Sequence, residues 1–339
     1  MTTIAENITR IQQAKTNIKA AIEEKGVEVG QGTIDTYAEK IAQIPSGGSG
    51  VDWSELGYSD RPPTIDEGYE YALEIKNNWN ASGREYIHTD DNKLLFFPTV
   101  DLSNYQVFRL ANSSHLIYVG NLNTSNITSC YYAFRNCYAL QKIESIDTSN
   151  VTTTYYMFGN CYSLQEVPAL NTSNVTEASY MFYNCSSIKT IPQLDLNNAT
   201  RTDYMFANCS KLASVPNLDT SKNTNTNQMF ASCGFLETAP EMNTALVTNW
   251  GAMFNYCSSL KNVPVYNMSS ATGLTNVFAN CNSLTDESLY NIIESLLTAT
   301  SYTGTKKLTT IFGNSTYNRY YTRIQALSNY QDLINAGWS

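Results

Sequence analysis

Apolar residues recur along most of this chain at a spacing that is neither helical nor that of a single strand. Phe134, Phe158, Phe182, Phe206, Phe230, Phe254 and Phe278 are each 24 residues apart. Three residues after each comes Cys137, Cys161, Cys185, Cys209, Cys233, Cys257 or Cys281. Met157, Met181, Met205, Met229 and Met253 precede five of the Phe, and Leu or Ile follows each Cys by three, from Leu140 to Leu284. Pro168, Pro192, Pro216, Pro240 and Pro264 form a further column, and so do Thr152, Thr176, Thr200, Thr224, Thr248 and Thr272. A fixed period of this length is the signature of stacked repeats. One unit holds too few apolar side chains to offset the ordering of its backbone. Stacked units bury their apolar edges on each other. The pattern therefore predicts one right-handed solenoid over about 94–284, with the Phe column as an inner ladder and coils roughly 4.8 Å apart. Upstream the register passes through Leu122, Asn126 and Thr128 and then weakens; Leu110, Asn112 and Ser113 read as a degenerate first turn.

Within a unit, Asn-Cys-x-x-Leu-x-x-Val-Pro-x-Leu reads as an extended segment carrying the strand, with Pro at a strand end or bend. Runs such as Asp147 to Asn150 and Asn171 to Asn174 read as turns. The Met-Phe-x-Asn-Cys segment is expected to be a short helix or helical turn.

The flanks follow other periods. Ile4, Ile8, Ile11, Ile18 and Ile22 form a heptad seam with Lys15 in its gap. Ile at both seam positions favours a trimer. The alternative is an intramolecular hairpin with a second helix, Thr33 to Ile44, through Tyr37, Ile41 and Ile44. Residues 1–44 thus read as a helical anchor or oligomerisation module and residues 45–50 as a Gly/Ser linker. Residues 51–98 read as an N-terminal cap, with a turn at Tyr58 to Pro63, a helix from Thr64 to Trp79 and a first strand at Leu94 to Pro98. Residues 99–284 are the solenoid. Residues 285–339 are expected to form a C-terminal helical cap, its first helix from Thr285 to about Leu297 and a second from about Thr316 to Ala336.

Composition narrows the chemistry. Charged residues are only 15% of 339, the net charge is -9, and 24 Tyr are present. A nucleic-acid surface needs clustered Lys and Arg, so no nucleic-acid partner is expected. No window has the roughly 18 apolar residues of a spanning helix, so no membrane insertion is expected. No basic segment followed by an apolar run opens the sequence, which reads as a chain without a secretory signal. Two His, His88 and His115, leave little for a histidine metal site. Asp90 and Asp91 near His88 lack a nucleophile, and neighbours on an extended segment point apart. Gly26, Gly30 and Gly32 lack the strand-turn-helix context of a phosphate cradle. The Asp101, Asp147, Asp195 and Asp219 column could bind calcium but fits turn capping better. The Cys column reads as small buried hydrophobes, with Cys130, off the register, a free thiol. No catalytic residue, metal ligand or cofactor is therefore expected. Tyr131, Tyr138, Tyr155, Tyr162, Tyr183, Trp250 and Tyr256 occupy variable columns and are expected to be exposed. Interleaved with Asn, Ser and Thr, they are candidates for contacts with carbohydrate or protein. The competing reading is a Tyr-tolerant wet surface with no single site. Tyr132, Tyr156, Tyr180 and Tyr204 form a column expected to be half buried.

The unit Val-Thr-x-x-x-x-Met-Phe-x-x-Cys-x-x-Leu-x-x-Val-Pro-x-Leu-Asp-Thr-Ser-Asn, clearest in residues 147–170 and 171–194, resembles the BspA-like class of bacterial leucine-rich repeats over roughly residues 94–284. Ala133 and Val277 depart from it at the Met column, and Asn223 and Leu246 in the Asn-Val turn. The resemblance implies an α/β repeat solenoid of leucine-rich-repeat type, commonly surface adhesion, and no catalytic residues. The segments Ile11 to Ile18 and Thr36 to Pro45 resemble N-terminal modules of tailed-phage fibre and tail proteins, which implies attachment to a virion or oligomerisation. Together these lead to the expectation of a non-enzymatic virion protein of a tailed bacteriophage, assembled in the host cytoplasm. Residues 1–44 would hold other virion proteins, as a homotrimer, and the repeat head would bind a bacterial surface glycan or protein. A capsid-decorating head fibre and a bacterial cell-surface adhesin are the alternatives. An adhesin should carry an export signal and a wall anchor, and neither is read here. A polysaccharide-degrading tail enzyme would need a carboxylate pair, which no column supplies.

Overall fold

A computed structural model describes residues 86–88, 94–97 and 99–339. The Ile4 to Ile22 seam, the Thr33 to Ile44 helix, the Gly/Ser linker and the turn and helix expected between Tyr58 and Trp79 lie outside the described residues, as do Asp90 and Asp91.

The described chain winds as a solenoid of parallel coils. Strands β1 (Tyr86–His88), β2 (Phe96–Phe97), β3 (Val100–Asp101), β4 (Val107–Arg109), β5 (Tyr118–Asn123) and β6 (Lys142–Ile146) belong to its first turns. β1 pairs with β4, and β5 takes β2 and β3 along one edge and β6 along the other, all in parallel. The register explains why the sequence period fades upstream. Tyr118 pairs with Lys142, 24 residues on, but Phe96 pairs with Tyr118 after 22 residues and Tyr86 with Val107 after 21. The two residues missing from the 22-residue spacing fall between Val107 and Leu110. Val107 bridges Ser129, whereas the Leu110 amide reaches the Ala133 carbonyl as Phe134 reaches Met157. Leu110, Asn112 and Ser113 therefore belong to a complete coil with another before it, not to a degenerate first turn. The strand expected at Leu94 to Pro98 is only β2, and β1 precedes it.

Beyond β6 the strands shrink to isolated bridges, among them Lys142 to Glu166 and Thr238 to Asn262. The proline column is the cause. The positions of Pro168, Pro192, Pro216, Pro240 and Pro264 correspond to Glu144 in β6 and Gly120 in β5. Proline has no N–H to donate, so the ladder stops at each one. The two longest strands, β5 and β6, thus lie in coils that lack a proline there, where every unit was expected to carry a strand.

The Met-Phe-x-Asn-Cys segment is not helical. It is a chain of tight turns that doubles as a ladder. In one coil the amides of Met157, Gly159 and Cys161 close turns on the carbonyls of Thr154, Tyr156 and Phe158. Between them, the amides of Tyr156, Phe158 and Asn160 reach the next coil at the carbonyls of Ser179, Met181 and Tyr183. The price is left-handed backbone at two positions per coil: Tyr156 (φ 55°) and Asn160 (φ 65°), with their equivalents from Tyr132 to Asn280. A left-handed non-glycine residue costs about 1–2 kcal/mol. It persists here because the backbone is bonded both within its own coil and to the next. Asn suits one position, and its side chains form their own ladder: Asn136, Asn160, Asn184 and Asn208 each donate Nδ2–H to the Oδ1 of the Asn one coil earlier, at 2.7–2.8 Å.

Inside, Phe134 to Phe278 stack nearly parallel, with successive centroids 5.3–5.5 Å apart. Each lattice Cys donates its S–H to a buried carbonyl of the Phe column or, for Cys137, to Leu110, at 3.0–3.2 Å. The column therefore does more than fill space, because a small apolar side chain would leave those carbonyls one donor short. All eight Cys are free and buried. The Asp column caps turns: Asp101, Asp147, Asp195 and Asp219 each accept an amide two residues on, as at Ser149.

Three helices follow: α1 (Asp286–Leu297), α2 (Leu308–Gln325) and α3 (Tyr330–Asn335). Thr285 caps α1 through Oγ1, which accepts the Ser288 amide. α1 then turns a polar row onto the open side of the last coil. Ser288, Ser295 and Thr298 accept the amides of Val263, Tyr266 and Met268. α2 starts eight residues earlier than the Thr316 expected, and the chain is not continuous to Ala336. Its first turn serves as a partial extra coil: the carbonyls of Thr310 and Ile311 take the amides of Asn276 and Phe278, and Phe312 packs on Phe278. Gly313 (φ 69°) then redirects the chain within 3.2 Å of Ala279, measured from where a Cβ would sit. No described helix is long and apolar enough to cross a membrane.

Candidate functional site

The turn ladder holds some columns in the core and leaves others at the surface, and this sorts the seven expected surface residues. Trp250 is wholly buried and must be withdrawn. Its column, Cys130, Thr154, Ala178, Thr202, Thr226 and Leu274, faces the core in every coil. The indole packs against Tyr266 and donates Nε1–H to the Val247 carbonyl. The one-residue step to Tyr131 and Tyr155 reverses the direction, and these two are half buried at the surface.

Tyr131, Tyr155 and Tyr183 come together with Tyr132, Tyr156, Tyr180 and Tyr204 in one continuous strip across four coils. Tyr131 stacks on Tyr155 at 5.2 Å; Tyr156, Tyr180 and Tyr204 stack in sequence at 4.7 and 4.5 Å. Tyr183 packs against Tyr156, Tyr180 and Tyr204. Tyr138 and Tyr162 form a separate, exposed stacked pair at 5.4 Å. Tyr256 is 58% exposed and makes no ring contact with either group among the described residues. The strip ends where its column changes to Gln228, whose Nε2 donates to the Tyr204 hydroxyl.

Stacking along the axis covers the ring faces, so the strip presents ring edges and phenol groups. Gly159 makes room for it: a Cβ there would lie 1.9 Å from the Tyr156 ring. Burial pushes the Tyr156 phenol up to about 12 and raises Tyr155 and Tyr180 as well. Tyr131 is raised first by its hydrogen bond with Tyr132. These phenols are therefore protonated donors at neutral pH. Toward one end, Arg201 makes a two-pronged bond with Asp203, at 3.0 Å on each oxygen, and Asp203 also accepts from Ser179. At the other end, Arg109 lies over Tyr131 and Arg135 over Tyr132 and Tyr156. Both arginines escaped the sequence reading. Among the described residues, no group of three or more His, Cys, Asp and Glu could hold a metal ion.

The sequence of this surface and its core can now be set beside known proteins. A family model described as Mycoplasma protein of unknown function, DUF285, matches residues 102–218 and 189–292, more than half of the chain together. The chain belongs to that family, and the match supports the BspA-like leucine-rich-repeat class. A crystal structure of a leucine-rich repeat protein from T. pallidum is similar at 16% identity and a TM-score of 0.39, over 59% of this chain and 83% of that one. No curated protein matches the sequence.

Proposed function

We propose that this chain is a non-enzymatic recognition protein whose tyrosine strip holds a bacterial surface. The observation that carries this reading is the strip itself: seven tyrosines, half buried, gathered across adjacent coils into one face of polar edges on a rigid core. Aromatic side chains of this kind give contact area at low entropic cost and a polar handle at the rim. In this proposal the protein is a virion component of a tailed bacteriophage. Residues 1–44 join it to other virion proteins as a homotrimer, and three linked heads strengthen weak contacts by avidity, by about 10²–10⁴. Support comes from the resemblance of Ile11 to Ile18 and Thr36 to Pro45 to phage tail modules. The eight free thiols also suit assembly in a reducing cytosol. Attachment at the capsid, as a head fibre, would use the same anchor. A bacterial cell-surface adhesin is the second reading, favoured by the Mycoplasma description of the family.

The full chain, fluorescently labelled, should bind host cells saturably. The triple variant Tyr131→Ser, Tyr155→Ser, Tyr180→Ser should lose at least about ten-fold in apparent affinity while keeping its melting temperature within a few degrees, as removal of central aromatic contacts implies. Unchanged binding by a folded triple variant would remove the strip from the function. Sedimentation of the full chain against residues 51–339 tests the anchor: the first should be a trimer and the second a monomer.

A further inference from the structure

The two arginines at the N-terminal end of the strip are held in an unusual way. The Arg109 guanidinium carbon lies 5.1 Å from the Tyr131 ring centre, and that of Arg135 lies 4.6 Å from Tyr132 and 5.5 Å from Tyr156. A guanidinium stacked on rings uses its faces and keeps its N–H donors in its own plane, where a forked acceptor fits. In both residues Nε is buried and meets no acceptor. Neither has a carboxylate at ion-pair distance among the described residues; Lys142, Arg201, Lys261 and Arg323 all do. That is unexpected in a chain of net charge -9, where acidic partners outnumber basic ones. The phenols beside them are also donors. This end of the strip is therefore rich in donors and positive, without a paired carboxylate among the described residues, while the far end is neutralised by the Arg201 and Asp203 pair.

We infer that Arg109 and Arg135 form an anion subsite and that the ligand of the strip is an acidic saccharide. Its carboxylate or phosphate lies in the forks of the two guanidinium groups, and its sugar oxygens accept from the phenols of Tyr131 and Tyr156. Charge-assisted forked bonds of this kind are among the strongest polar contacts available to a surface. This inference rests on the reading of the strip as a recognition face and adds the chemistry of what it recognises. Two arginines in an acidic chain are too few to track a nucleic-acid backbone, which needs many phosphate contacts.

The test measures binding of the full chain to four probes: oligogalacturonate, which carries carboxylates; phosphomannan oligosaccharide, which carries phosphates; neutral dextran oligosaccharide; and oligothymidylate. At least one charged saccharide should bind, weaken as salt is raised, and exceed dextran. Which of the two binds identifies the anion. The double variant Arg109→Gln, Arg135→Gln should weaken that binding by about 10- to 100-fold, the usual cost of a lost charged hydrogen bond. Arg135→Lys keeps the charge without the fork and should fall between; it also serves if the double variant proves unstable. Equal binding of dextran, or a folded double-Gln variant that binds undiminished, would overturn the anion subsite while leaving the tyrosine face intact if the Tyr→Ser variant still loses cell binding. Failure of both charged saccharides would likewise overturn it, and tighter binding of oligothymidylate would mean the ligand class is wrong. If the Tyr→Ser variant also binds cells normally, the recognition face itself falls.

Discussion

Raising the pH from 9 to 10 should unfold the solenoid cooperatively. All eight Cys are buried, and burial pushes Cys130, Cys209 and Cys257 up to about 12 from an ordinary value of 9.0 and raises the other five as well. Desolvation is the first cause in every case, and the seven lattice thiols also donate to carbonyls as neutral S–H. A pKa raised on folding means that the native state keeps its protons longer than the unfolded chain. The stability is therefore complete below pH 9 and drains away as the pH climbs through the folded values. At pH 10 each unfolded thiol has gained about 1.4 kcal/mol by ionising, so eight remove about 11 kcal/mol. A domain of this kind has about 5–15 kcal/mol in total. Circular dichroism against pH at 25 °C should show a midpoint near pH 10. A protein that keeps its signal to pH 11 would mean that the thiols are not sealed from water in the way the structure has them.

Phe206→Ala should cost about 3–5 kcal/mol, the usual range for a buried Phe. Phe206 is 0% exposed and lies flat between Phe182 and Phe230, at 5.5 and 5.4 Å. Its carbonyl accepts the Cys233 thiol. Because each coil touches only its neighbours, the loss has no distant compensation and cuts the array near its middle. The melting temperature should drop by about 6–20 °C for a unit of this size. Phe206→Leu, which keeps most of the volume, should cost less than about 1.5 kcal/mol. A loss under about 1 kcal/mol for the alanine variant would show that the Phe ladder is not what holds the coils together.

What could be read from the sequence was whatever repeats in an identical environment. The Phe, Cys and Thr columns serve the same purpose in every coil, so period alone revealed them. The register failed upstream because the coils there are two and three residues shorter, and a fixed period cannot follow a deletion. The same slip hid Arg109: a fixed period puts it in the buried column of Ala133 and Met157, whereas it stands at the surface over Tyr131. Arg135 shares its column with Gly159 and Tyr183, residues with nothing chemical in common. Trp250 was misplaced for a related reason. Its column holds Cys, Thr, Ala and Leu, a mixture that does not show which way it points. The helical expectation for Met-Phe-x-Asn-Cys failed because helix formers such as Met sit in turns fixed by ladder bonds between coils, and tertiary context overrides propensity. The tyrosines were seen, but their orientation was not: stacking along the axis turns faces inward on each other and leaves edges and hydroxyls outward.

Oxidative footprinting of the full chain, with and without host-cell envelope, tests the central claim most directly. Bound envelope should protect Tyr131, Tyr132, Tyr155, Tyr156 and Tyr183, on the strip, and leave Phe235 and Tyr256, both highly exposed in the later coils, as reactive as in the free protein. Protection of Phe235 and Tyr256 with the strip unchanged would contradict the account, because the solenoid would then grip its target with a different part of its surface.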